Sequence, residues 1–350
     1  MSPSVSNEPR APVLVEVFRG PLVESSHRGF IAAVDADCQL VASLGDVTVR
    51  SFFRSAAKPF QAIPFITSGA ADQLRIAPTE LAVIAGSHSG EAIHTDIVKS
   101  ILARIGLSES DLKCGAHMPF DEATARDLRS SGNQPTPLHN NCSGKHAAML
   151  AYASYLGERL DNYLEPAHPV QRRIREVLAT FAAMEPEMIG IAIDGCSAPV
   201  FAVSVAEMAR SYAQLVGCEL TKLDRDLCAA AARVTAALIE YPELVGGTKG
   251  RLDTDLMRVA RGALISKVGA EGVQLLGIRP CALYPRALGI AIKIEDGDIR
   301  RARDPVVIET LRQLGLLDEE QLVELSSYRL SKILNHRGLE VGVVRTCFQL

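Results

Sequence analysis

Apolar and polar residues alternate from Val13 to Ser43, through VLVEVFRG, GFIAAVDA and QLVASLGD. A period of two, broken by Gly20, Pro21, Asp35 and Asp37, predicts three antiparallel strands joined by tight turns. The period then lengthens. A helix is expected over Ala56–Thr67, and Ile93, Ile97, Ile101, Leu102 and Ile105 mark a second at helical spacing. Further helices are predicted in AAMLAYASYLGERL, over Pro169–Ala182, over roughly 202–214 and 224–239, and in TDLMRVARG. Polar loops interrupt them at Gly86–Gly90, Cys114–Phe120 and Gln134–His146, and MIGIAIDGCSAPV reads as a strand entering a loop at Asp194. Strand patterning returns in GVQLLGI, ALGIAIKIEDGDIRRA and LEVGVVRTCFQL. Strands at both ends and helices between them predict an α+β (mixed α/β) fold. An antiparallel sheet would close from the N- and C-terminal strands around a helical lobe within about 56–260. One catalytic domain is expected over 1–350, with residues 1–12 as a loose tail.

Composition adds exclusions. The 350 residues are 47% hydrophobic and 22% charged, with a net charge of −4. That balance supplies no electrostatic attraction for nucleic acid or an anionic membrane. No apolar run approaches the ~18 residues of a membrane span. The opening MSPSVSNEPRAP lacks the apolar core of a secretory signal. The scattered cysteines are therefore expected as free thiols in a reducing cytoplasm, with Cys281 and Cys347 buried in apolar surroundings.

Four stretches carry candidate chemistry. Ser55 and Lys58 form a Ser-x-x-Lys at a helix start, since Pro59 is tolerated only in a first turn. There the helix dipole favours an alkoxide, and a desolvated lysine can take the serine proton. The competing reading is an N-cap serine beside a solvated lysine. GSHSGE places Ser87 in a glycine-flanked loop, suited to close substrate approach or to a plain turn. ISKVGAEGV resembles a strand-borne Lys-Thr-Gly element at Lys267, with Val268 in place of threonine. HNNCSGKH and DGCSAP bring Cys142, Lys145, His146, Asp194 and Cys196 in two polar loops. Two such thiols suit a borderline metal such as zinc, or are simply free, because no CxxC or HExxH spacing is present. The Gly-Lys pair is not a phosphate-binding loop, because His146 follows Lys145 and the upstream glycine is missing.

In order along Phe52–Gly297, FFRSAAKPFQ, AGSHSGE, HNNCSGKHAAML, AIDGCSAPVFA, GTKGRLDTDLM, SKVGAEG and GIAIKIEDG closely resemble the Rhizobium etli-type L-asparaginases of the asparaginase II family. The resemblance implies a fold similar to serine β-lactamases and penicillin-binding proteins, a cytoplasmic homodimer, and hydrolysis of L-asparagine to L-aspartate and ammonia. It also implies two Ser–Lys tandems, Ser55 with Lys58 and Ser87 with Lys267, and a zinc ion on Cys142, Lys145 and Cys196. Asp194 would hold a metal-bound water, and Arg54 and His146 would contact substrate. In the mechanism expected from this set, Ser55 attacks the side-chain amide with Lys58 as base, and zinc supports substrate binding. Two alternatives are a penicillin-recognising hydrolase or peptidase of the same fold and a non-catalytic amino-acid-binding protein.

Overall fold

The computed structural model describes residues 11–329 and 332–350. Its strands among these residues are β1 (Val13–Arg19), β2 (Leu22–Asp35), β3 (Leu40–Leu44), β4 (Arg50–Phe52), β5 (Gly190–Ile193), β6 (Pro199–Ser204), β7 (Leu264–Gly269), β8 (Val273–Ile278), β9 (Leu288–Ile294), β10 (Lys332–Leu334) and β11 (Glu340–Thr346). The two chain ends pair with each other. The large antiparallel sheet runs β10-β11-β1-β2-β9-β8-β7, and β3 also pairs with β2. The expected closure of N-terminal on C-terminal strands is thus realised through β1–β11 and β2–β9.

The middle of this sheet is covered on both faces. Every residue of β8, and all but one of β9, is buried. That explains why both read as near-continuous apolar runs rather than alternating ones. The helix Val205–Val216 packs on β2, β8 and β9. Its approach requires Gly289, because a Cβ there would lie 1.8 Å from the Ala209 carbonyl oxygen.

The helical lobe is organised around the helix Lys58–Thr67, which is buried from Lys58 to Ile66. An apolar surface all round suits a helix enclosed on every side. Pro78–Ala85, Ser143–Tyr155, Pro169–Ala182 and Arg225–Glu240 pack around it. This core helix carries Lys58 at its first residue.

Several expectations are corrected. MIGIAIDGCSAPV is a hairpin, not one strand: β5 turns at Asp194–Ala198 into β6, with Ser197 in the left-handed region at φ 67°. β6 also pairs with β4, making a separate three-stranded sheet and delaying the next helix to Val205. The helix expected from Ala147 starts at Ser143, which takes Lys145 and His146 out of the loop. The C-terminal region is not all strand: helices Asp304–Gln313 and Glu319–Glu324 precede β10. Cys218 and Cys228 are joined in a disulfide rather than free, and Cys281 and Cys347 are exposed rather than buried. Cys281 lies in an irregular segment whose neighbours Pro280, Ala282 and Leu283 are themselves exposed, and Cys347 follows the last residue of β11. Among the described residues no helix is long and apolar enough to cross a membrane.

Candidate active site

Three chain segments meet at Ser87. The Pro78–Ala85 helix ends at Gly86, and the Ser87 N–H donates to the Val245 carbonyl at 2.7 Å, turning the chain into the loop. Lys58 enters from the core helix and Lys267 from the middle of β7. Both amines reach the same hydroxyl: Lys58 Nζ lies 2.9 Å and Lys267 Nζ 2.8 Å from Ser87 Oγ. All three side chains are buried.

The two lysines are held differently. Lys58 also donates to the carbonyls of Gly86 at 2.7 Å and Asn141 at 2.8 Å, so each ammonium proton has an acceptor. Lys267 has one further acceptor, its neighbour Val268 O at 3.1 Å. Burial lowers the pKa of Lys58, with Lys145 adding to the effect and Cys142 opposing it. Burial also lowers Lys267, to about 7, against the opposing charge of Asp253. A lysine near neutrality is suited to proton transfer at ordinary pH.

Ser55 sits in the tight turn Arg54–Ala57 that leads into the core helix. The Tyr212 hydroxyl fixes this turn by donating to Ala56 O at 2.8 Å. Gly269 at the end of β7 lets the strand lie against it, since a Cβ there would be 2.6 Å from Phe53 O. Ser55 and Ser87 both line a cavity of about 660 Å³. The Ser55 hydroxyl has no hydrogen-bond partner among the described residues; its sequence neighbour Lys58 bonds Ser87 instead.

Behind the serines lies the sulfur cluster. Lys145 Nζ donates to Cys196 Sγ at 3.1 Å, and the Cys142 and Cys196 thiols lie close enough to share a charge. The thiol pair ionises once: the contact between the two thiols and the nearby Lys58 and Lys145 favour one thiolate, while that contact and burial keep the other protonated. Burial opposes the charge on Lys145, but Cys142, Cys196 and Asp194 together raise its pKa above the ordinary value. Arg54, at φ 50° in the left-handed region, donates to Asp194 Oδ1 from Nε at 3.1 Å and Nη2 at 2.9 Å. Burial opposes ionisation of Asp194, but this pairing and Lys145 hold its pKa below the usual value. The two sulfurs are donors that zinc takes, but Lys145, held protonated here, would have to lose its proton to join them. No group of three His, Cys, Asp or Glu side chains is so placed among the described residues, and the third donor here is a lysine. His146 is buried, its Nδ1 2.7 Å from the Tyr163 hydroxyl, and is not on the cavity wall.

Sequence patterning gave no role to three residues that the structure brings in. Asp253 is buried and accepts from Val268 N at 2.9 Å, Ser266 Oγ at 2.8 Å and Gln274 Nε2 at 2.7 Å, clamping β7 on either side of Lys267. Arg251 donates to Ser87 O at 2.9 Å and Ser89 Oγ at 2.8 Å, bracing the serine loop. Asn141 supplies an acceptor to Lys58. The excursion GTKGRLDTDLM contained Arg251 and Asp253, but no spacing rule distinguishes a clamping carboxylate from the solvated acids around it.

Residues 15–346 match the model of a single protein family, described as L-asparaginase II. The chain belongs to the L-asparaginase II family. Among solved structures, it is similar to Mglu in its tris and glutamate form at 15% identity, with a TM-score of 0.44 over 89% of this chain and 65% of that one. It is also similar to Mglu in its native form (15%, TM-score 0.43, 89% and 71%). A third is a probable glutaminase from Bacillus subtilis complexed with 6-diazo-5-oxo-L-norleucine (15%, TM-score 0.38, 82% and 84%). The chain thus spans just under two thirds of the first of these. No curated protein matches it.

Proposed function

We propose that this protein is an amidohydrolase, a Rhizobium etli-type L-asparaginase with a serine β-lactamase-like arrangement, that converts L-asparagine to L-aspartate and ammonia through serine and lysine. The observation that supports this reading best is the Ser87 hydroxyl bridging two buried lysines beside a cavity that Ser55 also faces. Ser55, whose hydroxyl is free to move, attacks the side-chain amide carbon while Lys58 takes its proton. Ser87 relays protons between Lys58 and Lys267 and delivers one to departing ammonia. Water then opens the β-aspartyl ester by the reverse path.

Cys142, Cys196 and Lys145 would hold zinc once Lys145 gives up its proton, and bound zinc would supply a positive charge that orients the charged end of the amino acid. Arg54, next to Ser55 in the chain, pairs with Asp194, and His146 follows Lys145 on the same helix. The same resemblance favours a cytoplasmic homodimer.

A second reading makes Ser87 the nucleophile, and its direct contact with both amines favours it. Ammonia release from L-asparagine and L-glutamine, with intact-mass detection of trapped acyl-enzyme, tests both. The first reading expects asparagine turnover, acylation in Ser87→Ala and none in Ser55→Ala. The reverse acylation pattern establishes Ser87, and absence of ammonia release removes the asparaginase reading.

A further inference from the structure

The cavity is larger than free asparagine requires. At about 660 Å³ it falls among pockets that enclose drug-sized ligands, and one small amino acid would leave most of it to water. Its lining includes both serines but neither the sulfur cluster nor the Arg54–Asp194 pair. A wall of the same cavity is made by Ile299, Arg300, Arg303 and Asp304. Arg303 closes a π-helical turn over Ile299–Arg303, a distortion often found at functional sites.

The chemistry of that wall is specific. Arg303 and Asp304 are both buried, and the guanidinium makes both its contacts, 2.9 Å from Nε and 2.6 Å from Nη2, with the single oxygen Asp304 Oδ1. Among the described residues, Arg303 Nη1 and Asp304 Oδ2 have no further hydrogen-bond partner. Arg300 lines the same wall and is exposed. Arg251 adds a third guanidinium, while the Asp253 carboxylate is already engaged by three donors. A buried arginine with an open donor, seconded by a mobile one, suits a carboxylate.

Resting on the asparaginase reading, we propose that this wall is a leaving-group subsite, and that the substrate class includes β-aspartyl amides whose amine carries its own carboxylate, such as β-aspartyl dipeptides. If zinc, Arg54 and Asp194 hold the aspartyl end, the amide nitrogen points down the cavity and its substituent meets Arg300 and Arg303. The reaction is the same hydrolysis. The C–N bond breaks, the aspartyl group gains hydroxyl from water, and the nitrogen leaves as the amine of a free amino acid after gaining the proton.

The test compares β-aspartyl-alanine with N-ethylasparagine, the same amide without the terminal carboxylate, and with asparagine. The expected kcat/KM for the dipeptide exceeds that for N-ethylasparagine by about tenfold, the scale of one charge-assisted hydrogen bond. Arg303→Gln abolishes that preference. Arg300→Gln, at an exposed position that does not endanger folding, narrows it through KM rather than kcat. Equal rates for the two substituted amides, or asparagine turnover with none of the dipeptide, overturn the subsite and leave the asparaginase reading standing. Hydrolysis of none of the three removes both.

Discussion

Lys58 lies one helical turn from Ser55 in sequence, yet its amine bonds Ser87 at 2.9 Å. The Ser-x-x-Lys spacing therefore delivers the lysine to a different serine, and the amine stands between the turn bearing one hydroxyl and the loop bearing the other. Lys58→Met should reduce kcat by about 10²–10⁴-fold, the range for a positioned proton carrier. Lys58→Arg should not restore it, because a guanidinium cannot give up its proton. Steady-state kinetics on both variants, with circular dichroism to establish folding, checks this; substantial rescue by arginine would mean that only the positive charge matters.

Lys267 makes the pH dependence specific. With its pKa near 7, it becomes able to accept a proton as pH rises through neutrality, so kcat/KM should climb to a plateau with an apparent pKa of about 7. Stability follows the same group with a definite sign. The folded value is depressed from 10.5, so between about 7 and 10.5 the unfolded chain binds more protons and stability rises with pH. Below about 7 both states are protonated and this contribution stops changing. Urea midpoints for wild type and Lys267→Met at pH 7 and pH 9 measure it, and the wild type should gain more on going to pH 9.

Asp253→Asn tests the clamp on β7. Loss of the carboxylate removes a charge that holds the Lys267 pKa up, so the rising limb should move to lower pH. The amide nitrogen would also face groups that donate to Asp253, at a cost of about 1–3 kcal/mol in stability. An unmoved limb in a destabilised variant would leave Asp253 a purely structural residue.

The sulfur cluster predicts a separation of metal content from chemistry. Cys196→Ala should lose bound zinc by elemental analysis and raise KM for asparagine at least tenfold, with a smaller change in kcat. Chelation of the wild type should do the same and be reversed by zinc. A variant with wild-type zinc content would exclude Cys196 as a ligand.

Gly269→Ala probes the approach of β7 to the Ser55 turn. Its methyl group would meet Phe53 O at 2.6 Å, so the strand must shift. The expected result is a fall in kcat together with a lower thermal midpoint, because the methyl would also press on Val273 of the core at 2.8 Å. Unchanged kcat would show that the shift does not reach Lys267.

The sheet was legible because its strands alternate at the N-terminus and run apolar where both faces are covered. The motif residues were legible as residue types in a family order. Their pairing was not. Ser55 and Lys58 looked like a couple because local spacing is all a linear reading offers, whereas the Ser87–Lys267 contact joins positions 180 residues apart. The β5–β6 hairpin was missed because its turn is made by Ser197 rather than a glycine at positive φ. The disulfide was missed because its two cysteines, ten residues apart, resemble any scattered pair.

Lys267 lies on β7, which pairs with β8, which pairs with β9, which pairs with β2 near the other end of the chain. Such long-range pairing is slow compared with local helix formation. During synthesis the serines and Lys58 emerge well before Lys267, and the strands that pair β7 into the sheet follow it. The contact between Ser87 and Lys267 therefore exists only in a chain that has been synthesised well past the helical lobe.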